Sequence, residues 1–247
     1  MLDEFLILGL DFTVFLFMRE SLIFIGISDD LALYYAIILT LILNAASFHE
    51  VRISEKFTKY VLELPNVINV NNEVYYFNIK IKSKGYLTIT LNIAGFIVPL
   101  VLALVLSLRY FTLLKSLRLD YLMIFILLTL LATLIFNRLG MIFRHYVGIS
   151  LVKSYIIGVL IGLIYGFELD VYASLSLTYV TLFIAIVLGV DILNMGKVVL
   201  EGRPRSVSIG GMGIADAIFV IPLLSSLTSY YVISFISNYL FTQLMIP

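Results

Sequence analysis

Long apolar runs, separated by short polar or charged stretches, make up most of the chain. A helix needs about 20 apolar residues to cross a bilayer, and seven runs approach or exceed that length, near residues 5–28, 31–48, 91–109, 119–137, 150–167, 171–191 and 212–231. Residues 232–246 could add an eighth, shorter segment. The first run contains Asp11, Arg19 and Glu20, so it either lies partly in the membrane interface or pairs these charges inside a bundle. The pattern predicts an all-α polytopic membrane bundle of about seven transmembrane helices.

Residues 49–90 break this pattern, because apolar and polar residues alternate there with a period of two. From Asn78 to Lys82, for example, polar side chains alternate with isoleucines, which is typical of a strand with one covered face. Turn residues at 71–72 and again at 83–85 predict a small β meander outside the membrane. The chain therefore divides into N-terminal membrane helices, an extramembrane β segment and a main transmembrane bundle, at residues 1–48, 49–90 and 91–247.

Composition agrees with a multi-pass membrane protein. The chain is 62% hydrophobic and 13% charged, with a mean hydropathy of +1.09, which excludes a soluble globular domain. The basic residues form short clusters between the apolar runs, so they act as topology signals and we expect no nucleic-acid partner. The lack of cysteine excludes thiolate metal sites and a cysteine nucleophile, and no ligand spacing predicts a metal or a cofactor. The predicted partner is the lipid bilayer, and the oligomeric state stays open.

Charges in the short loops predict the orientation of the bundle in a cell membrane. Three basic residues in the loop 194–210 place it in the cytoplasm, because cytoplasmic loops carry the excess of lysine and arginine. The acidic corner at Glu168 and Asp170 then falls outside, and the β segment falls inside. The basic loop 109–118 also falls outside, against the rule. Either the span count is off by one near residues 138–153, or this loop is an exception.

Glycine and proline mark two points where the apolar runs change character. Gly158, Gly162 and Gly166 recur every four residues, which favours close helix packing over a passage for substrate or lipid. Asn92 and Pro99 flank the point where the last β run becomes a span, and a proline there favours a kinked helix. These two residues are also candidates for substrate binding.

Two aspartates provide the candidate chemistry. Asp191 ends one apolar run and Asp216 begins the next, so two antiparallel helices would bring their carboxyl groups to the same depth. A charged residue in a membrane costs roughly 2.5–3.5 kcal/mol on insertion scales and usually faces a protein interior or a water-filled cavity. Gly210, Gly211 and Gly213 precede Asp216 and favour an extended or loosely wound chain. Either Asp216 is a first-turn acid favoured by the helix dipole, or bare backbone lets a substrate segment or an ion approach it.

Three blocks of sequence, Asn92 to Pro99, Gly189 to Leu193 and Ser208 to Phe219, resemble the recurrent blocks of a prokaryotic membrane-protein family called domain of unknown function 1614. The last block of that family reads Ser-Ile-Gly-Gly-Ala-Gly, two further residues, and then Asp-Gly-Ile-Phe. Here Ala217 stands where a further glycine is common. The resemblance implies relatives of the same fold in archaea and bacteria, and it implies no established activity.

The aspartate pair also resembles, more weakly, that of the intramembrane aspartyl proteases, the presenilin and signal-peptide-peptidase group and the prepilin peptidases. Those proteins place one aspartate near the cytoplasmic end of a span and another in a Gly-x-Gly-Asp motif that opens a later span. Here Asp216 follows Gly213 two residues later than in that motif, which on a continuous helix would rotate its carboxylate by about 200° relative to the glycines. The last span also has no Pro-Ala-Leu motif.

Three functions follow from these patterns. The main prediction is an intramembrane aspartyl-protease-like hydrolase for membrane-anchored substrates, in which Asp191 and Asp216 share a proton and the neighbouring glycines receive substrate backbone. The second is a proton- or cation-coupled transporter or channel that uses the same aspartates, although no inverted repeat is evident. The third is a non-catalytic scaffold or assembly subunit, in which the buried acids pair with Arg19, Arg144 or Lys153.

Overall fold

A computed structural model describes the chain at residues 2–70, 73–113, 119–142, 147–194 and 206–244. Within these residues the chain forms seven α-helices: α1 Leu2–Phe24, α2 Asp29–Ala46, α3 Val98–Leu113, α4 Leu119–Leu139, α5 Leu151–Glu168, α6 Val171–Ile186 and α7 Ala217–Leu244. Six helical segments of the described chain are long and apolar enough to cross a membrane, and α1 is the helix outside that set. The predicted polytopic bundle is confirmed at this level.

The charges of α1 have partners within the protein. Arg19 lies 2.8 Å from the carboxylate of Glu20 and 2.5 Å from that of Asp29, and Asp11 accepts a hydrogen bond of 3.0 Å from Asn44. Glu20 is only 8% exposed, and a buried charge needs such a partner. The structure shows these charges with partners, and the position of α1 relative to the membrane interface stays a prediction.

Helix α6 lies at the centre of the bundle. Its segment Val171–Ile192 is 89% buried, whereas α4 is 17% buried. The helices α3, α4, α5 and α7 all pack against α6, so the short hydroxyl side chains of α6 lie inside the protein. Asp191 stands at the end of this central segment, and the packing around α6 therefore fixes its place.

The glycine repeat of α5 packs against α7, as predicted. A Cβ atom on Gly158 would lie 2.3 Å from Oγ of Ser225, and one on Gly162 would lie 2.2 Å from Oγ of Ser229. Gly166 meets α7 one turn further along. Only glycine leaves room for the two helices at this distance, and the contact aligns the start of α7 with the rest of the bundle.

The predicted β meander is a long hairpin. Strand β1, Glu50–Val70, pairs antiparallel with β2, Glu73–Asn92. The prediction of a turn near Gly85 is wrong, because Gly85 pairs with Thr58 inside the ladder. In the sequence, apolar and polar residues alternate in the same phase on both sides of this glycine, and pairing of two long strands outweighs its local turn preference. The other predicted turn, at 71–72, lies outside the described residues.

Three short strands lie at the same end of the bundle as the base of this hairpin. Strand β5, Ser206–Ile209, pairs in parallel with residues 88–91 of β2. Strands β3, Met141–Ile142, and β4, Val147–Gly148, pair with each other between α4 and α5. The number of spans near residues 138–153 and the side of the basic loop 109–118 both stay predictions.

Helix α7 differs from the prediction at both of its ends. It begins at Ala217 and not at 212, because residues 210–215 form a turn and a short 3₁₀-helix, Gly213–Ala215. It continues to Leu244 without a break, so the predicted spans at 212–231 and 232–246 are one helix.

Candidate functional site

A cavity of about 540 Å³ lies where the ends of α6 and α7 meet β5. Asp191 and Asp216 both line it, so the structure brings together the two acids that the sequence singles out. Of the described residues in the wall, Ser208 is the other one with a polar side chain, and the rest are apolar residues and glycines. A mainly apolar pocket with a few converging polar groups is typical of a binding or active site.

The local fold around Asp191 is a π-helical turn, Val187–Ile192, that continues α6. Gly189 allows this turn to pack on α4, because a Cβ there would lie 2.5 Å from the carbonyl oxygen of Thr133. The buried amide of Asn194 donates hydrogen bonds to the Gly189 carbonyl at 3.1 Å and to the next carbonyl at 2.9 Å. A π turn shifts the phase of the side chains, and such turns are frequent at functional sites.

The carboxylate of Asp191 lies in the cavity wall, and the described part of the chain provides no neutralising partner for it. Among the residues that the structure describes, neither a hydrogen-bond donor nor a cation contacts it, and the charge that acts on it is that of Asp216. Of the cations considered for a scaffold, Arg19 pairs with Glu20, Lys153 makes no ion pair with a described residue, and Arg144 lies outside the described residues. Among the described residues, the structure therefore shows no ion pair at this aspartate that would favour the scaffold alternative.

Asp216 caps α7. Its Oδ1 accepts a hydrogen bond of 3.0 Å from the Ile218 N–H, and its Oδ2 accepts a longer one of 3.4 Å from the Met212 N–H. A side-chain oxygen that accepts from the second helical residue is the standard N-cap contact. Burial raises the pKa of this carboxyl, which precedes the span, and the two N–H donors oppose that shift. Asp216 is thus the N-cap that precedes α7 and not an acid of its first turn, as one sequence alternative had it, and it also lines the cavity.

The glycines before Asp216 have different roles. Gly210 and Gly213 adopt positive φ angles of +72° and +62°, which other residues rarely tolerate. A Cβ on Gly95 would lie 2.1 Å from the Gly210 carbonyl oxygen, and one on Gly213 would lie 2.6 Å from Cβ of Ser47. Gly210 and Gly211 line the cavity, whereas Gly213 does not. Its observed contacts hold the turn against α2.

Asn92 and Pro99 lie outside the cavity wall. The Asn92 side chain accepts a hydrogen bond of 2.9 Å from the Gly95 N–H and donates one of 2.8 Å to the Ser47 carbonyl. It thereby caps the π-helical turn Ile93–Ile97 that precedes α3. Pro99 is buried in α3. A role of these two residues in substrate binding stays a prediction, and the contacts of Asn92 support the turn that packs on Gly210.

Sequence reasoning missed three parts of this site. The segment Val147–Leu151 forms one wall, but apolar residues beside a span carry no distinguishing signal. Ser208 faces the cavity, and Asn194 caps the turn that carries Asp191. An asparagine at the end of an apolar run is a detectable signal, because an amide side chain can satisfy free helix carbonyls.

A family comparison covers this whole site. Residues 34–228 match the family model described as Protein of unknown function (DUF1614). The chain belongs to this family. The DUF1614 match includes both aspartates and every wall of the cavity, and it leaves out α1 and the C-terminal part of α7. No curated protein and no solved structure matches the chain, so the resemblance to presenilin-type proteases receives no support from these comparisons.

Proposed function

We propose that the cavity is the active site of an aspartyl-protease-like hydrolase that cleaves membrane-anchored polypeptides. One observation carries the proposal: two carboxyl groups from neighbouring helices line one largely apolar cavity. The proposal requires that the two carboxyls share a proton, since two such groups in low-dielectric surroundings do not both ionise readily and titrate as a pair. The ionised carboxylate of the pair then activates a water molecule, and the protonated carboxylic acid donates its proton to the leaving amine.

The depth of the cavity favours hydrolysis. The span that carries Asp191 ends at Ile192, and the one that follows Asp216 begins at Ala217, so both acids lie at the ends of their helices. Hydrolysis of an amide consumes water, which reaches helix ends far more easily than the hydrocarbon core. Transporter sites, in contrast, lie typically near the bilayer midplane.

The cavity also offers backbone groups to a peptide. Strand β5 lies at one side of its sheet, with β2 as its neighbour among the described strands, and Ser208 and Ile209 of β5 line the cavity. An extended polypeptide can add to such a strand edge through main-chain hydrogen bonds. Gly210 and Gly211 continue this wall without side chains, so the substrate backbone can approach closely.

The test uses the full-length protein in proteoliposomes together with a library of single-span polypeptides, and mass spectrometry detects new chain ends. Asp191→Asn and Asp216→Asn are expected to lower cleavage by about 10²-fold or more, the usual contribution of general acid–base catalysis. Asparagine is also a good N-cap, so the second variant keeps the start of α7. The matched control is Asp11→Asn, since Asp11 bonds to Asn44 and lies outside the cavity wall. Full cleavage by both cavity variants refutes the proposal.

A transporter is the second candidate, because both acids lie beside irregular backbone. Asp191 belongs to a π turn, and Asp216 follows the irregular turn that begins at Gly210. Transporters build ion sites where helices lose their regular geometry. Proton or cation flux in the same proteoliposomes, lost in Asp216→Asn and accompanied by no cleavage, selects this candidate. A protein that gives neither cleavage nor flux fits the scaffold alternative.

A further inference from the structure

One carboxylate joins all three strands of the sheet beside the cavity. Glu50 is the first residue of β1, and its Oε2 accepts a hydrogen bond of 2.9 Å from the Thr90 hydroxyl on β2. Its Oε1 accepts a shorter bond of 2.6 Å from the Ser208 hydroxyl on β5. Ser208 lines the cavity. Glu50 therefore connects the base of the hairpin directly to the cavity wall.

Strand β5 needs this connection more than the other strands do. It has four residues, and it pairs with β2 in parallel, the pairing that is slightly less stable per residue. Hydrogen bonds to an ionised acceptor are roughly twice as strong as those between neutral groups. The exposed bond from Ser208 to Glu50 thus adds a charge-assisted link to the backbone pairing of β5.

The position of β5 sets the position of Asp216. Gly210 follows β5 immediately and turns the chain with its positive φ, and the Met212 N–H then reaches the Asp216 carboxylate. A slip of β5 by one residue along β2 would exchange the faces of its side chains. Ser208 would leave the cavity wall, and the turn behind it would move.

The far side of the same turn has its own supports. The Ile214 N–H donates a hydrogen bond of 3.3 Å to the Ser47 hydroxyl, and Gly210 packs against Gly95. These contacts hold the turn against α2 and against the π turn before α3. The hydrogen bond from Ser208 to Glu50 is the polar side-chain contact that holds β5, the strand that leads into this turn.

We propose that Glu50 is a positioning residue of the site, which fixes the register of β5 and so sets Asp216 opposite Asp191. Its effect on catalysis rests on the proposed function. The positioning itself rests on the hydrogen bonds alone, and it can be measured without any substrate.

The first experiment measures hydrogen exchange in peptides that cover residues 206–218 of the full-length protein in detergent. Glu50→Ala is expected to speed exchange of the Met212 and Ile218 amides by about tenfold or more, the equivalent of one charged hydrogen bond. Glu50→Gln keeps an acceptor oxygen and is expected to restore most of the protection. The matched control Thr90→Val removes one partner of Glu50 but keeps the bond to Ser208. Unchanged exchange in Glu50→Ala overturns the proposal.

The second experiment measures binding of a peptide hydroxyethylene isostere, an uncleavable analogue of the transition state. Glu50→Ala and Ser208→Ala are each expected to weaken binding by about tenfold. The double variant is expected to show no further loss, because both substitutions remove the same hydrogen bond. Equal affinity of Glu50→Ala and the unmodified protein overturns the proposal, even if exchange changes. If the unmodified protein does not bind the isostere, the hydrolase proposal fails, and the exchange experiment still decides whether Glu50 positions the turn.

Discussion

Gly210 and Gly211 are adjacent in sequence, yet alanine is expected to have very different effects at the two positions. At Gly210 the backbone has a φ of +72°, and a methyl group would lie 2.5 Å from the carbonyl carbon of Gly95. At Gly211 the nearest atoms to a methyl group would be those of the Ser208 side chain, at 3.1 Å. The first clash is with backbone that cannot rotate away, whereas the second is a contact of 3.1 Å that a movement of a few tenths of an ångström relieves without breaking the bond of Ser208 to Glu50.

The size of the difference follows from these contacts. A residue other than glycine in the left-handed region costs about 1–3 kcal/mol, and overpacking against fixed atoms costs about 1–3 kcal/mol more. Gly210→Ala is therefore expected to lower the free energy of unfolding by about 2–6 kcal/mol, a large part of a typical total of about 5–15 kcal/mol. At Gly211 the small steric cost is offset by the stiffer unfolded chain, which contributes about 0.4–1 kcal/mol, so the net change is expected to be close to zero.

The assay is equilibrium unfolding of the two full-length variants in the same detergent, followed by circular dichroism. Gly211→Ala is the matched control, since it adds the same methyl group one residue away in the same turn. An ordinary surface substitution changes the free energy of unfolding by no more than about 0.5 kcal/mol. If Gly210→Ala changes it by no more than that, then Gly210 does not pack on Gly95 as described.

Three other substitutions test the surroundings of the site through the free energy of unfolding in detergent. Because burial raises the pKa of Asp216 in the folded protein, ionisation of this group costs stability as the pH rises, and Asp216→Asn is expected to be the more stable protein at neutral pH and to lose that advantage in acid. Gly162→Ala presses on Ser229 and is expected to lower the free energy of unfolding by about 1–3 kcal/mol. Gly9→Ala is its control, because a methyl group there meets no atom within 4 Å. Asn194→Ala removes the donor to two carbonyls and is expected to cost about 1–3 kcal/mol, and an unchanged stability would contradict its capping role.

The helices were predictable because the physical signal is strong. A membrane helix satisfies its own backbone and needs only a sufficient apolar length. Runs of that kind locate α2, α4 and α5 within a few residues, and they locate α3 and α6 equally well when the adjoining π turns are included. The hairpin was less predictable, because Gly85 is a turn residue by local preference and its pairing with Thr58 depends on a distant strand. The pairing of β5 with β2 had no local signal at all, since it joins segments separated by four helices.

The geometry of the aspartates shows a similar limit. On a continuous helix the two extra residues before Asp216 would turn its carboxylate away from the glycines. The segment is not a continuous helix, since the turn at Gly210 and a short 3₁₀-helix absorb these residues. Gly211 and Asp216 consequently line the same cavity. Helical periodicity does not apply where glycines with positive φ interrupt the chain.

The contact between Glu50 and Ser208 has a consequence for biosynthesis, because its partners are 158 residues apart in sequence. At a synthesis rate of about 5–20 residues per second, the ribosome adds the serine roughly 8–30 s after the glutamate. Four helices enter the bilayer during this interval, before β5 and the last helix exist. While the earlier helices insert into the membrane, the newly made protein therefore has no assembled aspartate pair. Any chemistry of that pair begins only after β5 and α7 have been synthesised and have packed.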